Sequence, residues 1–254
     1  MDVSEELLMK VWRRIRSGLE IMQPQQLSVK LGRYPFCGPT LLLRLSSDET
    51  GVRCVRCAAS VVHLSIGWAL RECIGSTVGL DACELSSRGP LVTWLRRETR
   101  SLALSEFFDD LPPGTQRDGV RCEDVQRLTY ASATFDLIMH TEVFEHVPDD
   151  LVGFRELYRV LRSGGHMLFS VPLTNLTSTV ERARLDSNGV QYLLPPAYHD
   201  DLLRGVGKVL VFRDYGTDIL QRIEMAGFLD ASIMPRDPRV PWNYGRNVIH
   251  ARKE

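Results

Sequence analysis

The chain has 254 residues, of which 44% are hydrophobic and 25% are charged, a composition typical of a globular protein. Its 31 Lys plus Arg residues nearly balance 32 Asp plus Glu residues, which leaves a net charge of -1. Because a nucleic-acid binder needs basic side chains to neutralise phosphates, this balance disfavours a nucleic-acid partner.

The N-terminus and the apolar stretches bear on the cellular compartment. Residues 1–6 are acidic and lead into no apolar run after a basic stretch, so no secretory signal is indicated. The most apolar stretch, residues 58–70, is too short to span a bilayer. We therefore expect a cytoplasmic protein with reduced thiols and no membrane partner.

Residues 4–22 have the periodicity of an amphipathic helix, and we assign residues 1–32 to an N-terminal helical segment. The apolar positions recur every three or four residues at Leu8, Val11, Ile15, Leu19 and Met22. Such a stripe predicts a helix packed on the body of the protein. A contact in a homodimer and a lid over a substrate are the alternatives.

Residues 33–62 contain two cysteine-bearing turns around a strand-like run. Cys37 lies in the first turn, and Cys54 and Cys57 lie in the second. This arrangement is typical of a zinc ribbon, which holds its ion with four thiolates or imidazoles. Tyr34 stands where a fourth cysteine is expected, and His63 is the next histidine. The degenerate ribbon is therefore either a Zn²⁺ site with three cysteine ligands or a metal-free relic held by apolar packing.

From about residue 78 onward, short apolar runs alternate with helical patterns. The predicted strands cover residues 79–86, 102–106, 135–140 and 166–171, and the predicted helices cover residues 91–100, 151–162 and 218–226. Gly164 and Gly165 are expected to end the second of these helices. The alternation predicts an α/β fold with a doubly wound, Rossmann-like parallel sheet. Such sheets bind ligands at the carboxyl ends of their strands.

Acidic residues stand at those strand ends. The first predicted strand contains Glu84, and the second ends at Glu106, 22 residues later. In folds of this kind an acidic residue about 20 residues past the first turn binds ribose hydroxyls, because a carboxylate accepts both hydrogens of a cis-diol. Glu123 and Asp124 form a third acidic element.

Five ordered blocks between residues 123 and 172 resemble class I S-adenosylmethionine-dependent methyltransferases of the type 11 group. The blocks are Asp124, Leu-Thr-Tyr at 128–130, Thr-Phe-Asp-Leu-Ile at 134–138, Phe-Glu-His-Val at 144–147 and Arg-Val-Leu-Arg-Ser-Gly-Gly at 159–165. We assign a methyltransferase domain to residues 63–254, with a substrate-cover insertion at 173–208. The resemblance implies a seven-stranded sheet that closes with a hairpin of residues 231–234 and 247–251.

The resemblance also implies S-adenosylmethionine as the cofactor and a role for each strand-end carboxylate. Asp124 would accept a hydrogen bond from the adenine amino group, with Val125 beside the ring. Glu106 would bind the ribose hydroxyls. Glu84 and the turn that follows it would face the methionine part of the cofactor.

The turn after Glu84 departs from the family's Glu-x-Gly-x-Gly-x-Gly pattern, in which glycines let the backbone approach the cofactor. Residues 85–90 read Leu-Ser-Ser-Arg-Gly-Pro, so Gly89 is the only glycine in the turn. In one interpretation the turn still binds the cofactor, with Ser86 and Ser87 small enough to fit and Arg88 meeting the methionine carboxylate. In the other, the protein is a noncatalytic scaffold or regulator with a disabled site.

Candidates for the catalytic base follow the fourth strand or lie in the insertion. The resemblance implies that His140 and Thr141 line the methyl-transfer site. Histidine titrates near neutral pH, which suits a base, and the candidates are His140, Glu142, Glu145, His146 and His199. The alternatives are that His199 only fixes its loop and that His146 caps or packs a turn.

The acceptor implied by the resemblance is a small or medium-sized metabolite methylated at oxygen, nitrogen or activated carbon. RNA is the alternative acceptor, because some ribosomal RNA methyltransferases also carry an N-terminal zinc ribbon. Residues 140–143, His-Thr-Glu-Val, stand where an Asn-Pro-Pro-Tyr motif would clamp a flipped base. Their identity argues against methylation of a base amino group.

Overall fold

The structure is a computed structural model that describes residues 21–201 and 207–254. The helix expected at residues 4–22 lies outside the described residues, except for its last two positions. Strand β1 (Ser28–Tyr34) begins inside the segment 1–32 that we assigned to the N-terminal helix. Residues 28–32 are therefore extended, which corrects that part of the expectation.

A mixed eight-stranded sheet forms the centre of the molecule. Its strands in spatial order are β16 (Asp230–Met234), β17 (Val248–Arg252), β9 (Leu161–Ser170), β8 (Phe135–Thr141), β4 (Asp81–Glu84), β5 (Ser101–Glu106), β7 (Val120–Cys122) and β6 (Gln116–Arg117). The five strands from β9 to β7 are parallel. Strands β16 and β17 form the expected terminal hairpin. The α/β prediction is confirmed, and the two-residue strand β6 adds one strand to the expected seven.

Helices cover both faces of this sheet. The described α-helices are α1 (Val61–Cys73), α2 (Pro90–Glu98), α3 (Asp150–Val160) and α4 (Ile219–Met225). Side chains alternate along β8, so that Leu137 and Met139 share a core with α1 and α2, while Ile138 shares one with α3 and α4. This alternation is what a strand buried on both faces requires.

Two helix boundaries differ from the sequence-based expectation. Helix α3 ends at Val160, because Leu161 is already extended at φ -72° and ψ 142°. Gly164 and Gly165 consequently lie inside β9 and do not end the helix. Helix α1 arises from the apolar stretch that we assigned to no element, and Ser60 at its N-cap contacts the His63 ring.

The cysteine-bearing segment forms a three-stranded antiparallel sheet of β1, β2 (Gly38–Arg44) and β3 (Val52–Cys54). We call this sheet and its turns, residues 28–57, the ribbon. It is packed on the first two helices of the α/β part of the chain: Phe36 stacks on Trp94 of α2 with ring centroids 4.9 Å apart. Tyr34 and Val52 belong to the same apolar core as α1.

The predicted insertion follows β9 and consists of short antiparallel pairs. These are β10 (Val180–Glu181) with β15 (Arg213–Asp214), β11 (Ala183–Asp186) with β12 (Gly189–Tyr192), and β13 (Tyr198–Asp201) with β14 (Gly207–Leu210). The buried Arg213 guanidinium donates to the carbonyls of Val147 and Pro148 at 2.6 and 2.7 Å. It thereby ties the base of the insertion to the chain that follows β8. Across the described residues, helices of a length and apolarity sufficient to cross a bilayer are absent.

Candidate active site

Three carboxylates stand side by side along one edge of the sheet. Glu84 ends β4, Glu106 ends β5, and Asp124 follows β7 by two residues. Parallel pairing of β4 with β5 and of β5 with β7 places these ends next to each other. The structure therefore brings together the three residues that the sequence analysis assigned to the cofactor.

Glu84 is buried, with 1% of its surface exposed. Its Oε1 accepts a hydrogen bond from Ser86 Oγ at 3.2 Å, and its Oε2 has no hydrogen-bond partner among the described residues. Burial raises the pKa of Glu84 well above its usual value, and the nearby Glu106 carboxylate raises it further. A protonated Glu84 can donate a hydrogen bond, and its unpartnered oxygen fits a polar group of a bound ligand.

Glu106 is engaged by the turn that follows β4. The backbone N–H and the hydroxyl of Ser87 both donate to Glu106 Oε1 at 2.9 Å. Gly89, at φ +114°, then supplies the left-handed residue that starts α2. The glycine-poor turn therefore folds across the end of β5, over the carboxylate that we expect to bind ribose. Arg88 is exposed in the same turn.

Asp124 is half-buried and its Oδ1 accepts from the backbone N–H of Gln126 at 2.9 Å. Its neighbour Glu123 is buried, pairs with Arg121 and accepts from the Thr129 backbone N–H at 2.8 Å. Glu123 thus holds the loop in place, whereas the side-chain hydrogen bonds of Asp124 within the described residues involve only its Oδ1. Val125 packs at the margin of the core beside this loop.

His140 does not line a catalytic site, which corrects our expectation for this residue. Its ring is fully buried between Phe144 and Phe169, with centroids 4.8 and 4.4 Å away. Burial lowers its pKa to about 3, so the ring is neutral at physiological pH. Neither ring nitrogen has a hydrogen-bond partner among the described residues. His140 faces the core because strand alternation turns it away from Thr141.

Glu142 begins the chain segment that leaves β8. It adopts φ +54°, an uncommon conformation for a residue other than glycine, and its Oε1 accepts from Ser170 Oγ at 2.9 Å. Burial and the Glu145 carboxylate raise its pKa to about 7, against the opposing effect of Arg246. Thr141, one residue earlier, is half-buried at the end of β8.

Glu145, His146 and His199 form a second group of titratable side chains, and one ligand atom from each lies within 4.8 Å of the other two. Glu145 is buried, and its Oε1 lies 3.6 Å from His199 Nδ1 and 3.8 Å from His146 Nε2. The Glu145 carboxylate raises the pKa of His199. Both Glu145 oxygens lack a hydrogen-bond partner among the described residues.

The ring of His146 is oriented by a backbone contact. Its Nδ1 lies 2.8 Å from the carbonyl oxygen of Leu210 in β14 and must donate to it. Its Nε2 is the ring nitrogen that faces Glu145, 3.8 Å from Oε1. Two imidazoles and one carboxylate are a donor set that suits a divalent cation as well as proton transfer. The contact with the Leu210 carbonyl is also what the alternative, that His146 caps or packs a turn, expects.

Arg246 is a site residue that the sequence analysis missed. It precedes β17, lies close enough to lower the pKa of Glu142, and forms an ion pair with Glu49 of the ribbon. No local sequence signal marks it, because its two partners are about 100 and 200 residues away in the chain. The ribbon therefore contacts the same arginine that faces the end of β8.

Residues 73–169 match the family model described as a methyltransferase domain. This match and the order of the strands in the sheet support the similarity of this part of the chain to class I S-adenosylmethionine-dependent methyltransferases. The resemblance seen in the sequence is thus confirmed for the family.

The chain is similar to several curated and solved proteins. The ubiquinone biosynthesis O-methyltransferase of Aliivibrio fischeri is 27% identical over 127 residues, which is 50% of this chain and 53% of that protein. The protein of the same name from Parvibaculum lavamentivorans is 32% identical over 83 residues, 32% of this chain and 31% of that protein. An S-adenosylmethionine-dependent methyltransferase structure from Mesorhizobium loti, 18% identical, covers 76% of this chain and 100% of its own, with a TM-score of 0.48. The chain spans about half the length of the first curated relatives.

Proposed function

We propose that the protein transfers a methyl group from S-adenosylmethionine to a hydroxyl oxygen of a small-molecule acceptor. The observation that supports this most is the pairing of two neighbouring sites on one sheet edge. Glu84, Glu106 and Asp124 suit the cofactor, and Glu145, His146 and His199 suit removal of a proton. The similar curated proteins carry the name O-methyltransferase, which favours oxygen over nitrogen or carbon.

The residues at the ends of β4, β5 and β7 fit the cofactor's polar groups. Within the described residues, hydrogen bonds engage Oδ1 of Asp124 and Oε1 of Glu106. The second oxygen of Asp124 would accept from the adenine amino group, and Oε2 of Glu106 from a ribose hydroxyl. Full use of Glu106 requires Ser87 to release Oε1. When bound, S-adenosylmethionine supplies an electrophilic methyl group, so the protein's task is to align the acceptor and exclude water.

His199 is the base in this proposal. Strand β13 brings it from the insertion to the end of β8, where Glu145 lies 3.6 Å from its Nδ1. The Nε2 of His199 takes the acceptor's proton, and the Glu145 carboxylate stabilises the imidazolium that forms. The raised pKa of His199 strengthens it as a base. Glu142 lies beside this pair and contributes a second titratable carboxyl group.

The test is formation of S-adenosylhomocysteine with a panel of phenolic, catecholic, amine and thiol acceptors. We expect turnover with hydroxyl acceptors, and we expect His199→Ala to lower kcat by about a hundredfold or more with little change in cofactor affinity. His250→Ala on β17 is the matched control and should retain turnover. Turnover only with amines would contradict the hydroxyl assignment, and full activity of His199→Ala would remove it as the base.

A noncatalytic role is the second candidate, because Ser87 occupies the Glu106 oxygen that the cofactor's ribose would use. A protein of this kind would keep the methyltransferase fold and bind a partner without transferring methyl groups. It would bind neither S-adenosylmethionine nor S-adenosylhomocysteine while remaining folded. That result separates the two candidates without knowledge of the acceptor.

A further inference from the structure

Three cysteine side chains converge at one end of the ribbon, far along the chain from the strand-end carboxylates. Cys37 lies in the turn after β1, Cys54 ends β3, and Cys57 follows three residues later. The Cys37 sulfur is 3.6 Å from that of Cys54 and 3.9 Å from that of Cys57. All three sulfurs lie within 4.8 Å of one another.

These separations match metal coordination better than a disulfide. Tetrahedral Zn²⁺ with Zn–S bonds of about 2.3 Å places its sulfurs about 3.8 Å apart. A disulfide requires about 2.05 Å between its sulfurs, and all three cysteines are free thiols in the structure. The ribbon therefore presents three sulfurs at the spacing of a trithiolate site.

The backbone around Cys54 and Cys57 holds this arrangement. Cys54 N–H donates to the Ala59 carbonyl at 2.9 Å, and Ala58 N–H donates to the Cys54 carbonyl at 2.8 Å. Ala58 adopts φ +62°, a left-handed conformation that costs about 1–2 kcal/mol for a residue with a side chain. The Thr40 hydroxyl lies 3.3 Å from the Cys54 sulfur. The turn thus keeps an unfavourable conformation that places Cys57 beside Cys54.

Tyr34 provides a second, independent sign that a ligand belongs at the cluster. Its side chain is 1% exposed, and its hydroxyl has no hydrogen-bond partner within the described ranges 21–201 and 207–254. A buried hydroxyl left unpartnered costs about 1–3 kcal/mol. Tyr34 and Cys54 belong to the same apolar cluster, and Cys37 and Cys57 pack against it.

We propose that Cys37, Cys54 and Cys57 bind one Zn²⁺ as thiolates, with the fourth coordination position facing the Tyr34 hydroxyl. A water molecule fills that position and forms a hydrogen bond with Tyr34. Each thiol loses its proton to solvent on binding, and the ion accepts three thiolate sulfurs without any redox step. Thiolate ligands select Zn²⁺ over Mg²⁺ or Ca²⁺. This proposal is independent of the proposed methyl transfer.

The ion would join the β1–β2 turn to the end of β3. Because β1 and β3 share a core with α1, zinc binding should stabilise the docked ribbon. The cysteine cluster shares no residue with the Glu145, His146 and His199 group, so zinc bound there would not occupy that group.

The experiment measures zinc per chain by elemental analysis of protein purified under reducing conditions without chelator. We expect one zinc per chain, lost in Cys37→Ser. The matched control is Cys73→Ser, because Cys73 lies outside the cluster and contacts Met234; it should retain its zinc. His199→Ala should also retain zinc. Zinc lost in His199→Ala but kept in Cys37→Ser would overturn the proposal and assign the ion to the histidine group.

A second readout tests the geometry and the role of Tyr34. Cobalt-loaded protein should show thiolate-to-metal charge-transfer absorption with the visible bands of a tetrahedral site. Tyr34→Phe should keep one metal ion per chain but shift those bands, because it removes the hydrogen bond to the fourth ligand. Identical spectra would overturn the role of Tyr34. Folded, reduced protein that takes up no zinc or cobalt would overturn the site itself.

Discussion

The two halves of the sheet's carboxyl edge are assembled in different ways. The cofactor half places Glu84, Glu106 and Asp124 at or just after successive strand ends, so short-range order along the chain decides their positions. The acceptor half joins Glu145 to His199, which comes from β13 in an insertion 54 residues further on. In the proposed function, the residues for the cofactor therefore belong to the central sheet, whereas the base for the acceptor comes from an added segment.

The largest effect expected in the cofactor half is weaker cofactor binding after replacement of Glu106, the carboxylate proposed to bind the ribose. Glu106→Gln removes a charged acceptor, and a hydrogen bond to a charged group contributes about 1.5–3 kcal/mol. We therefore expect the Kd for S-adenosylmethionine to rise by about tenfold or more. Calorimetric titration measures it, with Glu224→Gln on the exposed side of α4 as the control. An unchanged Kd would separate Glu106 from the cofactor.

In the acceptor half, Glu145→Gln should change the pH dependence of kcat/KM. His199 accepts a proton only when it is neutral, so activity falls as the pH falls through the His199 pKa. The Glu145 carboxylate raises that pKa, and its removal should move the acid limb of the profile to lower pH. An acid limb that stays in place would show that His199 does not govern it.

A smaller effect is expected from the turn that folds over Glu106. Ser87→Ala removes one of the two donors that occupy Glu106 Oε1. The ribose would then compete with one hydrogen bond instead of two for Glu106 Oε1. We therefore expect S-adenosylmethionine to bind about threefold to tenfold more tightly. Ser76→Ala, at an exposed serine outside the proposed site, is the matched control. Weaker binding of Ser87→Ala would mean that Ser87 itself contacts the cofactor.

The smallest effect is expected at His140, which lies in neither half. His140→Leu replaces a buried ring that has no hydrogen-bond partner among the described residues. We expect turnover within about twofold of the parent protein and a free energy of unfolding within about 1 kcal/mol. Thermal unfolding and a turnover assay measure the two quantities. Abolished turnover would return His140 to the active site.

The sequence predicts those parts of the molecule that depend on local order. The strand end at Glu106 is visible because an apolar run stops there, and Glu84 lies within a predicted strand. The terminal hairpin was implied by the resemblance to the family. His140 was misplaced because a strand end alone does not say which face its last side chains occupy. Arg246 and the ion pair with Glu49 could not be predicted, since they depend on how the ribbon docks about 200 residues away in the chain.

The C-terminal end of α3 was predicted wrongly for a different reason. Gly164 and Gly165 resemble a helix stop, yet the extended backbone of Leu161 ends the helix and begins β9 several residues earlier. A pair of glycines indicates that a helix does not continue past them, but the helix can end several residues earlier. Tertiary pairing of β9 with β8 decides that boundary.

Calorimetric titration of the purified protein with S-adenosylmethionine and S-adenosylhomocysteine tests the central claim most directly. We predict micromolar binding of both, lost in Asp124→Ala and retained in Asp230→Ala on the edge strand β16. Absence of binding to well-folded protein, or binding that Asp124→Ala leaves intact, would contradict the assignment of the strand-end carboxylates to the cofactor.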